Sequence, residues 1–91
     1  MRYAYHQAFL HTTARLSHHH ADALLRAIEK FQQAIESGQW PRGLGLTHLR
    51  RDYFEFRVDL HLRVIYRRSP GLTEYVLYGS HDDVRRFLKS L

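Results

Sequence analysis

Apolar and polar residues alternate between Tyr53 and Arg68, which predicts two consecutive β-strands, YFEFRVD and LHLRVIYRR. Successive side chains of a strand point to opposite faces of a sheet, so each strand divides into two sets. The apolar set consists of Phe54, Phe56, Val58, Leu60, Leu62, Val64 and Tyr66. The opposite set consists of Tyr53, Glu55, Arg57, Asp59, His61, Arg63, Ile65 and Arg67, in which Ile65 breaks an otherwise polar row. A tight reversal near Asp59 and Leu60 would pair the strands as an antiparallel hairpin.

A helical period is present in the segment that precedes this hairpin. Ser17 is a predicted N-cap for a helix that runs to about Ser37, and Gly38 is expected to end it. The apolar residues of this segment recur at helical spacing and form one stripe. The stripe consists of Ala21, Leu24, Leu25, Ile28, Phe31 and Ile35.

The remaining segments predict short elements on either side of the long helix and the hairpin. We expect a strand over 2–6, a helix over 7–16, strands over 46–50 and 73–78, and a final helix over 82–91. In the loop over 39–45, Trp40 and Pro41 are expected to hold the chain against the core. The element order β-α-α-β-β-β-β-α predicts an α+β fold with an antiparallel-rich sheet and the two N-terminal helices on one face. A single helical layer is the simplest closure, and residues 1–91 fit one small domain.

Composition excludes several classes of chemistry. The chain has no cysteine, which removes disulfides, thiolate zinc sites and cysteine nucleophiles. No segment approaches the roughly 20 apolar residues of a membrane span, so we expect a cytoplasmic protein without a membrane partner. His18, His19 and His20 are consecutive on a helix, where neighbours point about 100° apart, and cannot converge on one ion. We therefore predict neither a metal nor a cofactor.

The positive charge is concentrated on the predicted hairpin. The chain has 14 basic and 9 acidic residues and a formal charge of +5, and most of the basic residues are arginine, whose planar fork suits phosphate or carboxylate. The arginines near the hairpin are Arg50, Arg51, Arg57, Arg63, Arg67 and Arg68. This distribution favours a phosphate ligand. The alternative is an antiparallel sheet that merely exposes a charged face to solvent.

Arginine and histidine in this pattern are suited to RNA cleavage without a metal. The reaction needs a base for the ribose 2′-hydroxyl, cationic donors around the phosphorane and an acid for the departing 5′-oxygen. Arg57 and Arg63 share the hairpin face, and His81 follows the last strand in the sequence GSHDD. His48 and His61 are further candidates. Alternatively, His81 only leads into the final helix, and His48 and His61 are ordinary exposed residues.

The segments YFEFRVDLHLRVIYRR and YVLYGSHDDVRRF resemble the RelE/ParE superfamily of bacterial toxins. The resemblance rests on the pattern E-x-R-V-x-x-x-x-R-V-I-Y at Glu55 to Tyr66 and on a Gly-Ser-His segment similar to that of YafQ-like members. It implies a RelE-like, microbial-RNase-like fold. It also implies a ribosome-dependent endoribonuclease that cuts mRNA in the decoding site, held inactive in a hetero-oligomer with a cognate antitoxin.

The resemblance also assigns roles to individual residues. Arg63 matches the arginine that serves the scissile phosphate in RelE-like nucleases, and His81 falls where members place a catalytic arginine or histidine. Phe87 lies where RelE has a catalytic tyrosine, but it has no hydroxyl. Arg57 occupies a position where YafQ-like proteins carry a histidine, and His48 lies near another histidine of that group.

Two other functions are compatible with the same resemblance. ParE-like toxins keep this fold but bind DNA gyrase and have no nuclease site. A homologue that has lost activity and only binds an antitoxin is the second alternative. Arg63 and His81 favour the nuclease.

Overall fold

A computed structural model describes the chain from Met1 to Leu91, and its elements follow the predicted order. They are β1 (Arg2–Tyr5), α1 (Gln7–Thr13), α2 (His18–Ser37), β2 (Thr47–Arg50), β3 (Tyr53–Arg57), β4 (Leu62–Ser69), β5 (Leu72–Ser80) and α3 (His81–Lys89). The strands form one sheet in the order β1-β5-β4-β3-β2. Only β1 runs parallel to its neighbour, and the other pairs are antiparallel. The predicted α+β fold is confirmed. None of the helices has the length and apolar character needed to span a bilayer.

The long helix α2 begins and ends where its capping residues predict. The Ser17 hydroxyl accepts a hydrogen bond from the amide of His20 at 3.3 Å, and Gly38 takes a left-handed conformation with φ 73°, which costs glycine little. The buried residues of α2 are Leu24, Ala27, Phe31 and Ala34. Leu25 is 59% exposed, contrary to the prediction, because it points about 100° away from Leu24 around the helix.

The core between α1, α2 and the sheet is centred on an aromatic cluster. Phe31 is fully buried, and its ring centroid lies 4.4 Å from those of both Phe56 and Tyr66 and 5.9 Å from that of Tyr75. Burial raises the pKa of Tyr66 to about 12. The predicted apolar face of the hairpin therefore packs against α2, with Phe56, Val64 and Tyr66 in its centre.

A second helical layer covers the opposite face of the sheet. Ile65, Val76 and Val84 form a smaller buried cluster, and Ile65 alternates with Val64 and Tyr66, so α3 packs on the other side from α2. The expectation of a single helical layer was wrong. The physical reason is that Ile65, an apolar side chain on the otherwise polar face, needs an apolar cover, which α3 supplies.

In the hairpin turn, Leu60 departs from the predicted alternation of apolar and polar residues. The Asp59 carboxylate accepts hydrogen bonds from the amides of His61 and Leu62, both at 2.8 Å. The chain therefore reverses over 58–61, and β4 begins at Leu62. Leu60 lies in this turn and is 80% exposed, so it does not belong to the apolar face.

The loop between α2 and β2 is attached to the core by Leu44 and not by Trp40. Leu44 is buried, whereas the Trp40 side chain is 45% exposed. The Leu44 carbonyl also accepts a hydrogen bond from the amide of Arg57 at 2.8 Å. The loop thus presents Trp40 outward, and the expectation that Trp40 holds the loop against the core was wrong.

Candidate active site

Strand register brings Arg57, Arg63 and His81 to one end of the sheet. Arg57 lies opposite Arg63 across β3 and β4, and Arg63 lies opposite Gly79 across β4 and β5. His81 follows Gly79 by two positions and is the first residue of α3. We call Arg57, Arg63 and His81 the candidate site.

Arg63 lies beside the Glu55 carboxylate, which does not satisfy all of the hydrogen-bond donors of its guanidinium. Its Nε is 3.6 Å from Glu55 Oε2, and the side chains of Arg63 and Glu55 are 14% and 12% exposed. This distance is longer than a hydrogen bond. The buried Nε and Nη1 of Arg63 and the buried Oε2 of Glu55 have no hydrogen-bond partner. Unsatisfied buried groups are costly and call for a functional or structural reason. Arg63 is thus a charged donor with unused capacity beside a single counter-charge.

Arg57 is positioned by Gly45, which lies in the loop that precedes β2. A Cβ atom on Gly45 would lie 2.9 Å from both Cγ and Cδ of Arg57, and Gly45 has φ 63°. The aliphatic stem of Arg57 therefore lies over Gly45, where no other residue leaves room for it. This arrangement holds Arg57 between the sheet and the loop that precedes β2.

The start of α3 is held by a reciprocal pair of hydrogen bonds, which places His81. The Asp83 amide donates to the Ser80 hydroxyl at 3.2 Å, and the Ser80 amide donates to Asp83 Oδ2 at 2.8 Å. Such a capping box satisfies two helix-terminal donors. A Cβ atom on Gly79 would lie 2.7 Å from Asp83 Oδ2, so the carboxylate occupies the space above Gly79. His81 itself is exposed.

The capping box is expected to make a pH-dependent contribution to the stability of the fold, which Asp83→Asn should remove. The hydrogen bond from the Ser80 amide, with that from its hydroxyl, lowers the pKa of Asp83. A depressed carboxyl pKa contributes stability above the unfolded value, about 3.9, and that contribution is lost as pH falls through the lower folded value. We expect the difference in melting temperature between wild type and Asp83→Asn to be largest at neutral pH and to shrink below about pH 4. Thermal unfolding followed by circular dichroism at several pH values measures it; a pH-independent difference would contradict this role.

The structure does not bring His48 to the candidate site. His48 lies opposite Phe54 on β2 and β3, and its ring centroid is 4.8 Å from that of Phe54. Phe54 belongs to the face that packs towards α2, so His48 is on the other face of the sheet from Arg63. Its Nε2 lies 2.6 Å from the Arg51 carbonyl oxygen, which occupies one ring nitrogen.

His61 lies in the exposed β3–β4 turn, between Arg57 and Arg63 in sequence. Its backbone amide is the largest contributor to the lowered pKa of Asp59. No hydrogen bond or ion pair holds the imidazole ring of His61 in place.

Other members of the predicted polar face have structural partners. Arg67 Nε lies 2.7 Å from Asp52 Oδ2, and both side chains are exposed. Phe87 packs edge-to-face against Tyr53 with ring centroids 5.2 Å apart, so it serves the interface between α3 and the sheet. No three histidine, aspartate or glutamate side chains lie close enough together to hold a metal ion.

Sequence reasoning assigned no role to Glu55. The residue pairs with Ile65 and is therefore diagonal to Arg63 on the same face, a spacing at which long side chains meet. The opposite charges at these diagonal positions were the available signal.

No protein-family model and no curated protein matches the sequence. The structure is similar to that of YafQ from E. coli strain BL21(DE3), with a TM-score of 0.69, 14% identity, and 92% of this chain and 98% of that chain covered. It is also similar to a chain of the RelB-RelE antitoxin-toxin complex from Methanococcus jannaschii (TM-score 0.68, 9% identity, coverage 92% and 96%). A third similar structure is the YoeB/ParE toxin from Agrobacterium tumefaciens, with a TM-score of 0.56, 16% identity, and 89% of this chain and 99% of that chain covered. These similarities establish the fold over about nine-tenths of the chain.

Proposed function

We propose that this chain, which has the fold of the RelE, YafQ and YoeB/ParE toxins, is the toxin of a type II toxin–antitoxin pair. Residues 1–91 would form a single toxin domain that acts in the cytoplasm as a ribosome-dependent mRNA endoribonuclease. The observation that carries the proposal is that strand register and the start of α3 place Arg57, Arg63 and His81, from three chain segments, at one end of the sheet.

The proposed reaction is an attack of the ribose 2′-oxygen on the adjacent phosphorus. The O2′–P bond forms and the P–O5′ bond breaks, which leaves a 2′,3′-cyclic phosphate and a free 5′-hydroxyl. Arg63 would stabilise the negative charge of the phosphorane, and Arg57 would bind the same phosphate as a second cation. His81, exposed at the start of α3, would donate a proton to the departing 5′-oxygen or accept one from the 2′-hydroxyl. His61 is the nearest further histidine in sequence for the complementary proton transfer.

The proposed protein partner is a cognate antitoxin. Two similar structures are those of a RelB-RelE antitoxin-toxin complex and a DinJ-YafQ complex. The formal charge of +5 on this chain is suited both to a ribosome-bound mRNA and to an acidic partner.

One observation favours a second candidate function. The Arg63 guanidinium is only slightly exposed and lies beside Glu55, an arrangement that is also typical of a structural ion pair. A toxin of this fold without nuclease activity, whether a gyrase inhibitor or an antitoxin-binding homologue, agrees with that observation. Primer extension on cellular mRNA after induction separates the functions. Codon-phased cuts support the nuclease, whereas intact message with DNA-damage signalling supports the gyrase inhibitor.

We expect His81→Ala to reduce mRNA cleavage by roughly 10²- to 10⁴-fold, the usual contribution of a general acid or base. His81 is exposed, so the melting temperature should stay close to that of the wild type. Cleavage is measured by primer extension on mRNA in a purified translation system. His11→Ala, at an exposed histidine of α1, is the matched control and should cleave normally. Full activity of His81→Ala would remove His81 from the site.

A further inference from the structure

A strongly basic cleft lies between α2 and the loop that precedes β2. Its volume is about 720 Å³. The basic side chains that line it are Arg26, Lys30, Arg42 and Arg57. We call it the basic cleft. Arg57 lines this cleft and also belongs to the candidate site, where it lies opposite Arg63.

A smaller cleft adjoins the basic cleft on the other side of Trp40 and Pro41. Its volume is about 430 Å³, and its lining includes His48 and Arg68. We call it the outer cleft. Trp40 and Pro41 line both clefts, so the 45% exposed indole of Trp40 lies on the ridge between two surfaces that carry basic side chains.

Acidic residues are absent from both clefts. The chain contains nine of them, yet none lines either cleft. Cations grouped without counter-ions repel one another, and an anionic ligand relieves this repulsion. A ligand of these clefts is therefore expected to be anionic, and a ligand that occupies both clefts has to pass over Trp40.

We propose that the basic cleft, the Trp40 ridge and the outer cleft bind a single-stranded RNA segment that flanks the scissile phosphate. Its phosphates would contact Lys30 and Arg42, and one base would stack on Trp40. The inference rests on the proposed nuclease function and extends it, because it defines the path of the substrate beyond Arg57.

The exposed indole favours RNA over an acidic peptide as the ligand. Single-stranded nucleic acids are bound by grooves of positive charge combined with aromatic rings on which bases stack. An acidic peptide would satisfy the cations equally well but gives no reason for a tryptophan on the ridge between them. The loop buries Leu44 in the core and leaves Trp40 exposed, so the indole is available for contact with a ligand.

The stacking contact is tested by Trp40→Ala with a non-cleavable probe. The probe is a fluorescein-labelled single-stranded RNA of about 12 nucleotides, a length within the usual site size, with every 2′-hydroxyl methylated. Loss of one base stack should weaken binding about 5- to 150-fold, and Trp40→Phe should keep most of the affinity. Fluorescence anisotropy of the full-length protein measures the dissociation constant.

The phosphate contacts are tested by the salt dependence of the same binding. For single strands, each neutralised phosphate contributes about 0.7 to the slope of log affinity against log salt. Lys30→Gln combined with Arg42→Gln should therefore lower the slope by about 1.4. The matched control is Arg2→Gln combined with Arg15→Gln, which removes the same charge outside both clefts and should keep most of the wild-type slope.

The outcomes separate this inference from the proposed function. Wild-type binding of the cleft variants, while the wild type cleaves mRNA, would overturn the inference and leave the nuclease proposal standing. A protein that binds the probe through the clefts without cleaving mRNA would overturn the nuclease and keep the RNA path. Binding of an oligoglutamate peptide, with no affinity for the RNA probe, would identify the clefts as an acidic-peptide site and reject the proposal.

Discussion

The Glu55→Met, Arg63→Met double variant is expected to lose mRNA cleavage while unfolding at the same temperature as the wild type, or higher. In the proposed reaction, removal of Arg63 takes a cationic donor from the phosphorane, a change that typically costs about 10²- to 10³-fold in rate. The pair is nearly buried, and its atoms are 3.6 Å apart, with unsatisfied donors and an unsatisfied acceptor. Replacing such a pair by apolar residues of similar volume is neutral or stabilises by roughly 1–4 kcal/mol. Primer extension and thermal unfolding measure the two effects on one preparation.

The single variants show whether the two residues act as a pair. Arg63→Met alone leaves the Glu55 carboxylate nearly buried without its cation, which we expect to cost roughly 3 kcal/mol. For a domain of this size, that corresponds to a fall in melting temperature of roughly 12–24 °C. The double variant should recover this loss but not the cleavage. Cleavage at the wild-type rate in the double variant would show that Arg63 is a structural residue and would favour the non-nuclease function.

Phe31→Ala is expected to lower the free energy of unfolding by about 3–5 kcal/mol. Phe31 is fully buried, stacks on Phe56 and packs in a tilted arrangement against Tyr66, with a centroid distance of 4.4 Å in both pairs. Truncation removes contacts with β3 and β4 at once and leaves a cavity between α2 and the sheet. Since small domains are stable by about 5–15 kcal/mol, this variant approaches the unfolding limit. Urea unfolding measures the free-energy difference.

Leu25→Ala provides the matched control on the same helix. Leu25 is 59% exposed, so its truncation should change the free energy of unfolding by less than about 0.5 kcal/mol. If Phe31→Ala and Leu25→Ala destabilised equally, the burial of the α2 face against the sheet would be incorrect. Phe31→Ala also supplies a reference for loss of the proposed mRNA cleavage by unfolding, against which the loss expected in a folded His81→Ala variant can be judged.

The candidate site was predicted in part, because it depends on both local and long-range order. Strand alternation by itself places Arg57 and Arg63 on one face of the sheet. The short turn between β3 and β4 then makes the two strands neighbours, so the pairing of Arg57 with Arg63 could be predicted. The placement of His81 at the same end of the sheet required β5 to pair with β4 in the register that sets Gly79 opposite Arg63. His48 shows the limit of this reasoning. Its strand was identified, but β2 pairs with β3 in a register that turns His48 to the face opposite Arg63.

The amino-acid sequence by itself determined the helix between Ser17 and Gly38, the alternation of the hairpin and its concentration of arginine. These features follow from local periodicity, capping and side-chain chemistry, which act within a few residues. Only the tertiary structure decided the parallel pairing of β1 with β5, the layer that α3 adds over Ile65, the approach of Glu55 to Arg63 and the outward position of Trp40. Each of these depends on which distant surfaces exclude water together, and no local pattern specifies that choice.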